Sequence, residues 1–299
     1  MVRSAGKFVR ESKMIVLEND KLKVFVNLVG GCLGGIIDNA DGEQLMFKGD
    51  PDIWNYSDHI LFPLVCRMAD GTYEAEGRVY NSDLHGFAKD SEFLVEDQKA
   101  DEVTLRLKSS AKTLEKYPYK FSFRVNYRLQ GKSLLIKYSV ENADDKIMYF
   151  ALGAHPSFTL DGENGDTKGN FLYLKKAEYV GYGVDKKNCL LERPASVGEL
   201  EKIELDKAFF KKHDTFIVER KSNVVKLVRK CGKTVEVECD SPLISIWSDQ
   251  NKGYYACIES FWGIPDYSED PIKELGKKKF INKLKPSELK TFEYQIRFN

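Results

Sequence analysis

The chain has 299 residues, and its 46 basic side chains balance its 46 acidic ones, so its formal net charge is zero. This balance gives no general attraction to nucleic acid or to an anionic membrane. No apolar run approaches the roughly 18 residues that a membrane-spanning helix needs. Residues 1–13 are polar and basic, and the apolar run Met14–Leu17 is too short for a signal peptide core. We therefore expect a cytoplasmic protein, a monomer or homodimer, that binds neither nucleic acid nor membrane.

The six cysteines agree with a reducing compartment. They form no CxxC pair, and all except Cys189 and Cys231 stand among apolar neighbours. Apolar surroundings are typical of buried free thiols. We expect no disulfide framework.

Alternation of apolar and polar residues is the main structural signal. A period of two over five to nine residues is typical of strands with one buried face. The alternation occurs at residues 22–28, 103–107, 121–129, 134–140, 235–239 and 292–298. The pairs Asp41-Gly42, Gln130-Gly131 and Cys231-Gly232 are typical of hairpin turns between such strands. Residues 61–66 and 215–218 are further apolar strand candidates.

Helix signals are weak, and only residues 205–212 predict two helical turns. Strands do not alternate with helices, which argues against a parallel sheet. The strand pattern continues without a linker to the end of the chain. We predict an all-β fold, a large antiparallel β-sandwich with few short helices. Residues 14–299 would form a single domain, preceded by a flexible extension at residues 1–13.

Three titratable residues lie beside Gly, Pro or aromatic residues, at or near predicted strands. His85 precedes Gly86, which permits close backbone approach. His155 precedes Pro156, which restricts the backbone on both sides of the peptide bond. Glu259 is flanked by apolar and aromatic residues, where burial would raise its pKa towards the range of a useful base. Each residue alone is more often structural, but together they could supply an acid and a base.

Two more charged residues accompany predicted strands. Arg67 follows the apolar run 61–66, and Asp214 precedes the run 215–218. Each alone is more often a surface or ion-pair residue, and His213 competes with Asp214 as the functional side chain.

The order of these short motifs resembles that of the aldose 1-epimerase (galactose mutarotase) family, and especially its LacX-like branch. The resemblance runs from about Met14 to the C-terminus. It rests on five segments in one order, which are Leu61-Phe62-Pro63 with Arg67, Asp70-Gly71-Thr72-Tyr73, His85-Gly86-Phe87-Ala88, His155-Pro156-Ser157-Phe158 and residues 259–266 (ESFWGIPD). It implies a large β-sandwich, in agreement with the periodicity.

The resemblance also implies roles for these residues. Glu259 would be the general base that deprotonates the anomeric hydroxyl, and His155 the general acid that protonates the ring oxygen. His85, grouped with these catalytic residues, would hydrogen-bond the ring region or assist in positioning, while Arg67 and Asp214 would hold sugar hydroxyls. Trp262 is a candidate for stacking on the sugar, and equally for the core. Because mutarotation needs only proton removal and delivery, no metal or other cofactor is expected.

Three alternative interpretations remain open. A phosphorylated-sugar epimerase would keep the same catalytic residues and add a basic phosphate clamp, of which only Arg67 and Arg78 lie near the motifs. A non-catalytic sugar-binding protein would need neither an acid nor a base. A metal site of His59, His85 and His155 matches no compact ligand spacing.

Overall fold

The computed structural model describes residues 14–162, 166–185, 191–249 and 254–299. The predicted extension at residues 1–13 and Cys189 lie outside these ranges. Within the described residues, the strands of the first half are β1 (Met14–Glu18), β2 (Leu22–Asn27), β3 (Leu33–Asp38), β4 (Ile60–Leu61), β5 (Thr72–Ala75), β6 (Arg78–Asn81), β7 (Leu94–Gln98), β8 (Glu102–Lys108), β9 (Phe121–Gln130), β10 (Ser133–Asn142) and β11 (Met148–Phe150).

The second half of the chain adds eleven described strands. They are β12 (Leu152–Ala154), β13 (Ser157–Thr159), β14 (Phe171–Tyr182), β15 (Ala195–Glu204), β16 (Thr215–Glu219), β17 (Val224–Val228), β18 (Thr234–Cys239), β19 (Leu243–Trp247), β20 (Tyr255–Trp262), β21 (Asn282–Leu284) and β22 (Leu289–Phe298). The described helices are α1 (Ala111–Leu114), α2 (Lys207–His213) and the short 3-10 helices Ala69–Gly71, Ala88–Asp90 and Leu275–Lys277. No described helix is long and apolar enough to cross a membrane.

One antiparallel sheet of 15 strands forms most of the fold. Its main path runs β4-β12-β20-β19-β16-β14-β17-β18-β22-β10-β9-β8-β7, while β13 and β15 pair beside that path. A smaller sheet joins β1, β2 and β3, and two-stranded ribbons join β5 with β6 and β11 with β21.

The large sheet folds back on itself, so that strands far apart in its order share a core. Phe62 directly follows β4 at one end of the sheet, yet its ring stacks on Phe123 of β9 with centroids 4.8 Å apart. Trp262 of β20 packs on Phe292 of β22 at 5.3 Å. The shared core makes the fold a β-sandwich, as the alternating pattern predicts.

The alternating segments are confirmed as β2, β8, β9, β10, β18 and β22, and the segment at residues 205–212 contains most of α2. The strand predicted at residues 61–66 is wrong, because β4 ends at Leu61. Pro63 has no N–H for a strand ladder, and Cys66 adopts a left-handed φ of 53°. The chain therefore bends here and carries Arg67 on a loop.

A second, smaller apolar cluster lies on the other face of β16, β19 and β20. It includes Tyr182, Ile217, Leu243 and Phe261, all buried. Glu259 shares this face, because alternate residues of a strand point to the same side. The candidate site is therefore built on the regular part of the sheet.

Candidate functional site

His155 and Glu259 lie in direct contact. The Nε2 atom of His155 is 3.4 Å from Oε2 of Glu259, and both side chains are buried. Strand pairing sets this distance, since Ala154 of β12 lies opposite Ser260 of β20. His155 directly follows β12, and its backbone N–H donates to the carbonyl of His59 at 3.1 Å. The structure thus brings together two residues that are 104 positions apart in the sequence.

Burial shifts both members of this pair towards their neutral forms. Desolvation raises the pKa of Glu259 from 4.5 to about 8, with a smaller contribution from the charge of Asp58. The Ser245 hydroxyl opposes this shift by donating to Oε1 of Glu259 at 3.2 Å. Desolvation lowers the pKa of His155 from 6.5 to about 3, and His59 adds to the effect. At neutral pH Glu259 therefore keeps its proton, the His155 imidazole is neutral, and the pair carries no net charge.

His85 is held in one tautomer by the loop that precedes Arg67. The backbone N–H of Cys66 donates to Nδ1 of His85 at 3.1 Å, so the proton of the neutral ring resides on Nε2. Burial and the neighbouring positive charges keep the pKa of His85 well below its ordinary value of 6.5. Its ring centroid is 5.6 Å from that of His155. His85 is thus a neutral hydrogen-bond donor beside the His155–Glu259 pair.

Gly86 is required for this placement of His85. Its φ is 71°, and a Cβ atom there would lie 2.4 Å from the carbonyl oxygen of Phe62. The close backbone approach predicted at this glycine is confirmed. Any side chain at position 86 would push the His85 loop away from Phe62.

His59 completes a group of three imidazoles. Its ring centroid lies 6.0 Å from that of His155 and 6.4 Å from that of His85. Among the described residues, however, no three His, Cys, Asp or Glu side chains are arranged to hold a metal ion. Burial, with a contribution from Lys89, lowers the pKa of His59 to about 4.

Two tryptophans border the His155–Glu259 pair. Trp54 packs against His155 with centroids 5.3 Å apart, and Trp247 lies 5.8 Å from the same imidazole. Tyr255 stacks on Trp54 at 5.6 Å and on Phe47 at 4.3 Å. These aromatic side chains bring apolar ring faces next to the polar His155–Glu259 pair.

A buried carboxyl lies behind the site. Asp58 is fully buried, and its Oδ2 accepts the backbone N–H of Leu33 at 3.1 Å. Burial raises the pKa of Asp58 to about 6. Asp58 is close enough that its charge contributes to the raised pKa of Glu259.

Arg67 and Asp214 lie on two separate loops. Arg67 is exposed, and its charge is one of those that lower the pKa of His85. Lys89, in the helix Ala88–Asp90, acts on His85 in the same way. Asp214 caps α2 with a φ of 54° and precedes Thr215, which pairs with Trp247. His213, the competing residue, packs its ring against Phe209 and Phe216 instead.

Trp262 is not placed with the histidines. It points to the opposite face of β20 from Glu259, where it contacts Tyr138 and Phe292 in the main core. Its indole N–H donates to Asp240 at 3.2 Å. This orientation leaves no ring face for a sugar, so the core alternative describes Trp262.

Sequence reasoning assigned no site role to Trp54, Trp247, Asp58 or Lys89, and considered His59 only as a ligand in the alternative metal site. The doublet Asp58-His59 directly precedes the apolar pair Ile60-Leu61, and such a polar pair beside a buried strand was an available signal. Trp54 carries no comparable signal, because only the folded chain brings its loop to His155.

Comparison with known proteins agrees with this architecture. The family model described as aldose 1-epimerase matches residues 13–297. The chromosomal LacX protein of Lactococcus lactis subsp. lactis is 30% identical over 297 residues, covering 94% of this chain and 98% of LacX.

Two solved structures extend the comparison. A galactose mutarotase related enzyme from Lactobacillus acidophilus is 29% identical, with a TM-score of 0.90 and coverage of 96% of this chain and 97% of that one. A galactose mutarotase-like protein from Lactobacillus casei ATCC 334 is 25% identical, with a TM-score of 0.89 and coverage of 96% and 100%. The chain therefore belongs to the aldose 1-epimerase family.

Proposed function

We propose that the protein interconverts the α and β anomers of a free aldose by acid–base opening and closing of the sugar ring. The contact between His155 and Glu259 is the observation that carries this proposal. The anomeric oxygen and the ring oxygen of an aldose are bonded to the same carbon. An acid and a base that act on both must therefore be close neighbours, as these two residues are.

The protonation states of Glu259 and His155 suit this reaction. In the active form the proton of the pair has moved from Glu259 to His155 across their contact. The Glu259 carboxylate then removes the anomeric proton, a C1=O bond forms and the C1–O5 bond breaks. His155 delivers its proton to O5, which leaves Glu259 protonated and His155 neutral. After rotation about C1–C2 the same steps run in reverse. The open-chain stage thus leaves the pair in the form that burial favours.

The other residues would bind and orient the sugar. The Nε2–H of His85 can donate to a sugar oxygen, and Arg67 and Asp214 would hold hydroxyls from their two loops. Trp54 and Trp247, rather than Trp262, offer ring faces for stacking. Each binding interaction made more strongly in the transition state adds to catalysis.

The direct test is polarimetry on freshly dissolved α-D-galactose and α-D-glucose. We expect Glu259→Gln and His155→Asn each to lower kcat by about 10²–10⁴-fold, since each removes one acid–base group. Glu238→Gln, at an exposed position of β18, is the matched control and should match the wild type. Full activity in Glu259→Gln would refute the assigned base, and a wild-type rate equal to that of buffer across a panel of aldoses would favour a sugar-binding protein.

The pH dependence of stability tests the buried carboxyl separately from activity. Between pH 4.5 and about 8 the folded state keeps a proton on Glu259 that the unfolded chain releases, so this group's contribution to stability falls as pH rises. The amide that replaces this carboxyl in the Glu259→Gln variant cannot titrate. We therefore expect the wild type to lose stability relative to this variant as pH rises from about 5 to about 9.

Urea unfolding of both proteins at several pH values measures this difference. His155, whose pKa is lowered to about 3, loses stabilisation only as pH falls below about 6.5. That loss occurs in both proteins and cancels in the comparison. A stability difference that does not change with pH would show that Glu259 is ionised in the folded state.

Substitutions of Trp54 test whether its ring stacks on the sugar. Trp54→Ala should raise KM about tenfold, a change that corresponds to about 1.4 kcal/mol of binding free energy. Trp54→Phe keeps an aromatic face and should lie closer to the wild type. Trp262→Phe is the control, because its ring lies in the core. A KM unaffected in Trp54→Ala would exclude stacking on this ring.

A second candidate substrate is a phosphorylated sugar. The observation in its favour is that Arg67 and Lys89 both lie close enough to His85 to lower its pKa. Lys89 also pairs with Asp90, which reduces the charge available for a phosphate. The free sugar is therefore our first choice.

Comparing glucose 6-phosphate with glucose separates the two candidates. If the phosphate is bound, Lys89→Gln should lower kcat/KM for glucose 6-phosphate by about tenfold or more, since a charge-assisted hydrogen bond is lost. The same variant should leave the rate on glucose unchanged, and Lys112→Gln of α1 serves as the control. Equal effects on both sugars would argue against a phosphate site at Lys89.

A further inference from the structure

The motif that carries Glu259 ends in a second buried carboxylate. Asp266 and its partner Lys278 form an ion pair whose side chains are 1% and 3% exposed. The Lys278 ammonium also donates to the carbonyl of Ile272 at 2.6 Å. Burying a charged pair is costly unless both groups are well paired. We therefore ask what this buried ion pair does besides stabilising the fold.

Asp266 holds the loop that carries Arg67 by two hydrogen bonds. Its Oδ2 accepts the backbone N–H of Ala69 at 2.9 Å. Its own backbone N–H donates to the carbonyl of Arg67 at 3.3 Å. The two bonds fix the backbone on both sides of Met68. The carboxylate thus acts on the loop backbone, while the Arg67 side chain stays exposed.

The same loop is bound to His85 on its other side. Cys66 donates its N–H to Nδ1 of His85 and accepts the backbone N–H of His85 at 2.8 Å. Cys66 and Asp70 both adopt left-handed φ values of 53° and 56°. Non-glycine residues keep such values only when their surroundings enforce them. The loop is therefore held between His85 and Asp266.

We propose that Asp266, set in place by Lys278, is a positioning residue that orients Arg67 and fixes the tautomer of His85 through the loop at residues 66–69. This role rests on the proposed function for its effect on the substrate. The residue touches no reacting atom in this scheme. Asp266 connects the segment that carries Glu259 to the loop that carries Arg67.

Variants in a Lys278→Met background test the proposal, because that background has no buried ammonium left without a partner. Lys278→Met with Asp266→Asn keeps an oxygen that accepts the Ala69 N–H. Lys278→Met with Asp266→Ala removes it. We expect the Asn variant to stay near the wild-type KM, and the Ala variant to lose about tenfold to a hundredfold in kcat/KM, mainly through KM. In an Arg67→Ala background, the difference between the two variants should largely disappear.

A spectroscopic readout tests the same proposal without any substrate. Imidazole ¹⁵N NMR should show His85 as the Nε2–H tautomer in the wild type and in the Asn variant, and as a mixture of tautomers in the Ala variant. Asp161→Ala removes a partner of the buried Arg229 elsewhere in the fold. This control should lower stability and leave the His85 signals unchanged.

The outcomes separate the two proposals. A wild-type protein that mutarotates no sugar, but shows the tautomer change in the Ala variant, refutes the proposed function and supports the positioning role. An Ala variant with wild-type His85 signals refutes the positioning role. The Ala variant can also be compared in the presence of Arg67 and in the Arg67→Ala background. If it changes KM by the same factor in both, Asp266 does not act through Arg67.

Discussion

The exclusion of water from the His155–Glu259 contact is the constraint on which the rest of the site depends. In water a carboxyl and an imidazole have pKa values about two units apart, and the proton belongs on the imidazole. Burial reverses that order here, with the pKa of Glu259 at about 8 and that of His155 at about 3. The pair can then exchange a single proton without carrying net charge. Only a rigid surrounding sheet can keep two such groups dry and 3.4 Å apart.

Other buried polar groups lie near this pair or in the segment that carries Glu259. Asp58 is behind the pair, Ser245 is beside it, and the Asp266–Lys278 ion pair is at the end of the same motif. Each of these groups costs free energy to bury, and the extended aromatic core of the sandwich offsets that cost. His155 directly follows a strand and Glu259 lies on one, whereas Arg67 and Asp214 are on loops. Under the proposed function, the sheet would fix the two groups that transfer protons, and the loops would bind the sugar.

The sequence predicts the parts of this arrangement that depend on local patterns. Alternating residues predict β9, β10, β18 and β22, because one buried face imposes a period of two. The same rule could have placed Trp262 correctly, since a residue three positions from Glu259 on one strand must face the other side. The pairing of β12 with β20 depends on long-range contacts, so alternation alone could not place His155 against Glu259. The motif order of the resemblance supplied that pairing instead.

Two of the residues that sequence reasoning missed lie outside the regular strands. Trp54 and Lys89 reach the site from segments without a regular period, and nothing in their neighbours marks them as site residues. Asp266 is different, because it stands within the motif that supplies Glu259. Residues 259–266 place the proposed base on one face of β20 and then hold the loop that carries Arg67. One motif would therefore serve both the proton transfer and the sugar binding that we propose. A substitution at the end of the motif would therefore act on substrate binding even though Glu259 itself stays in place.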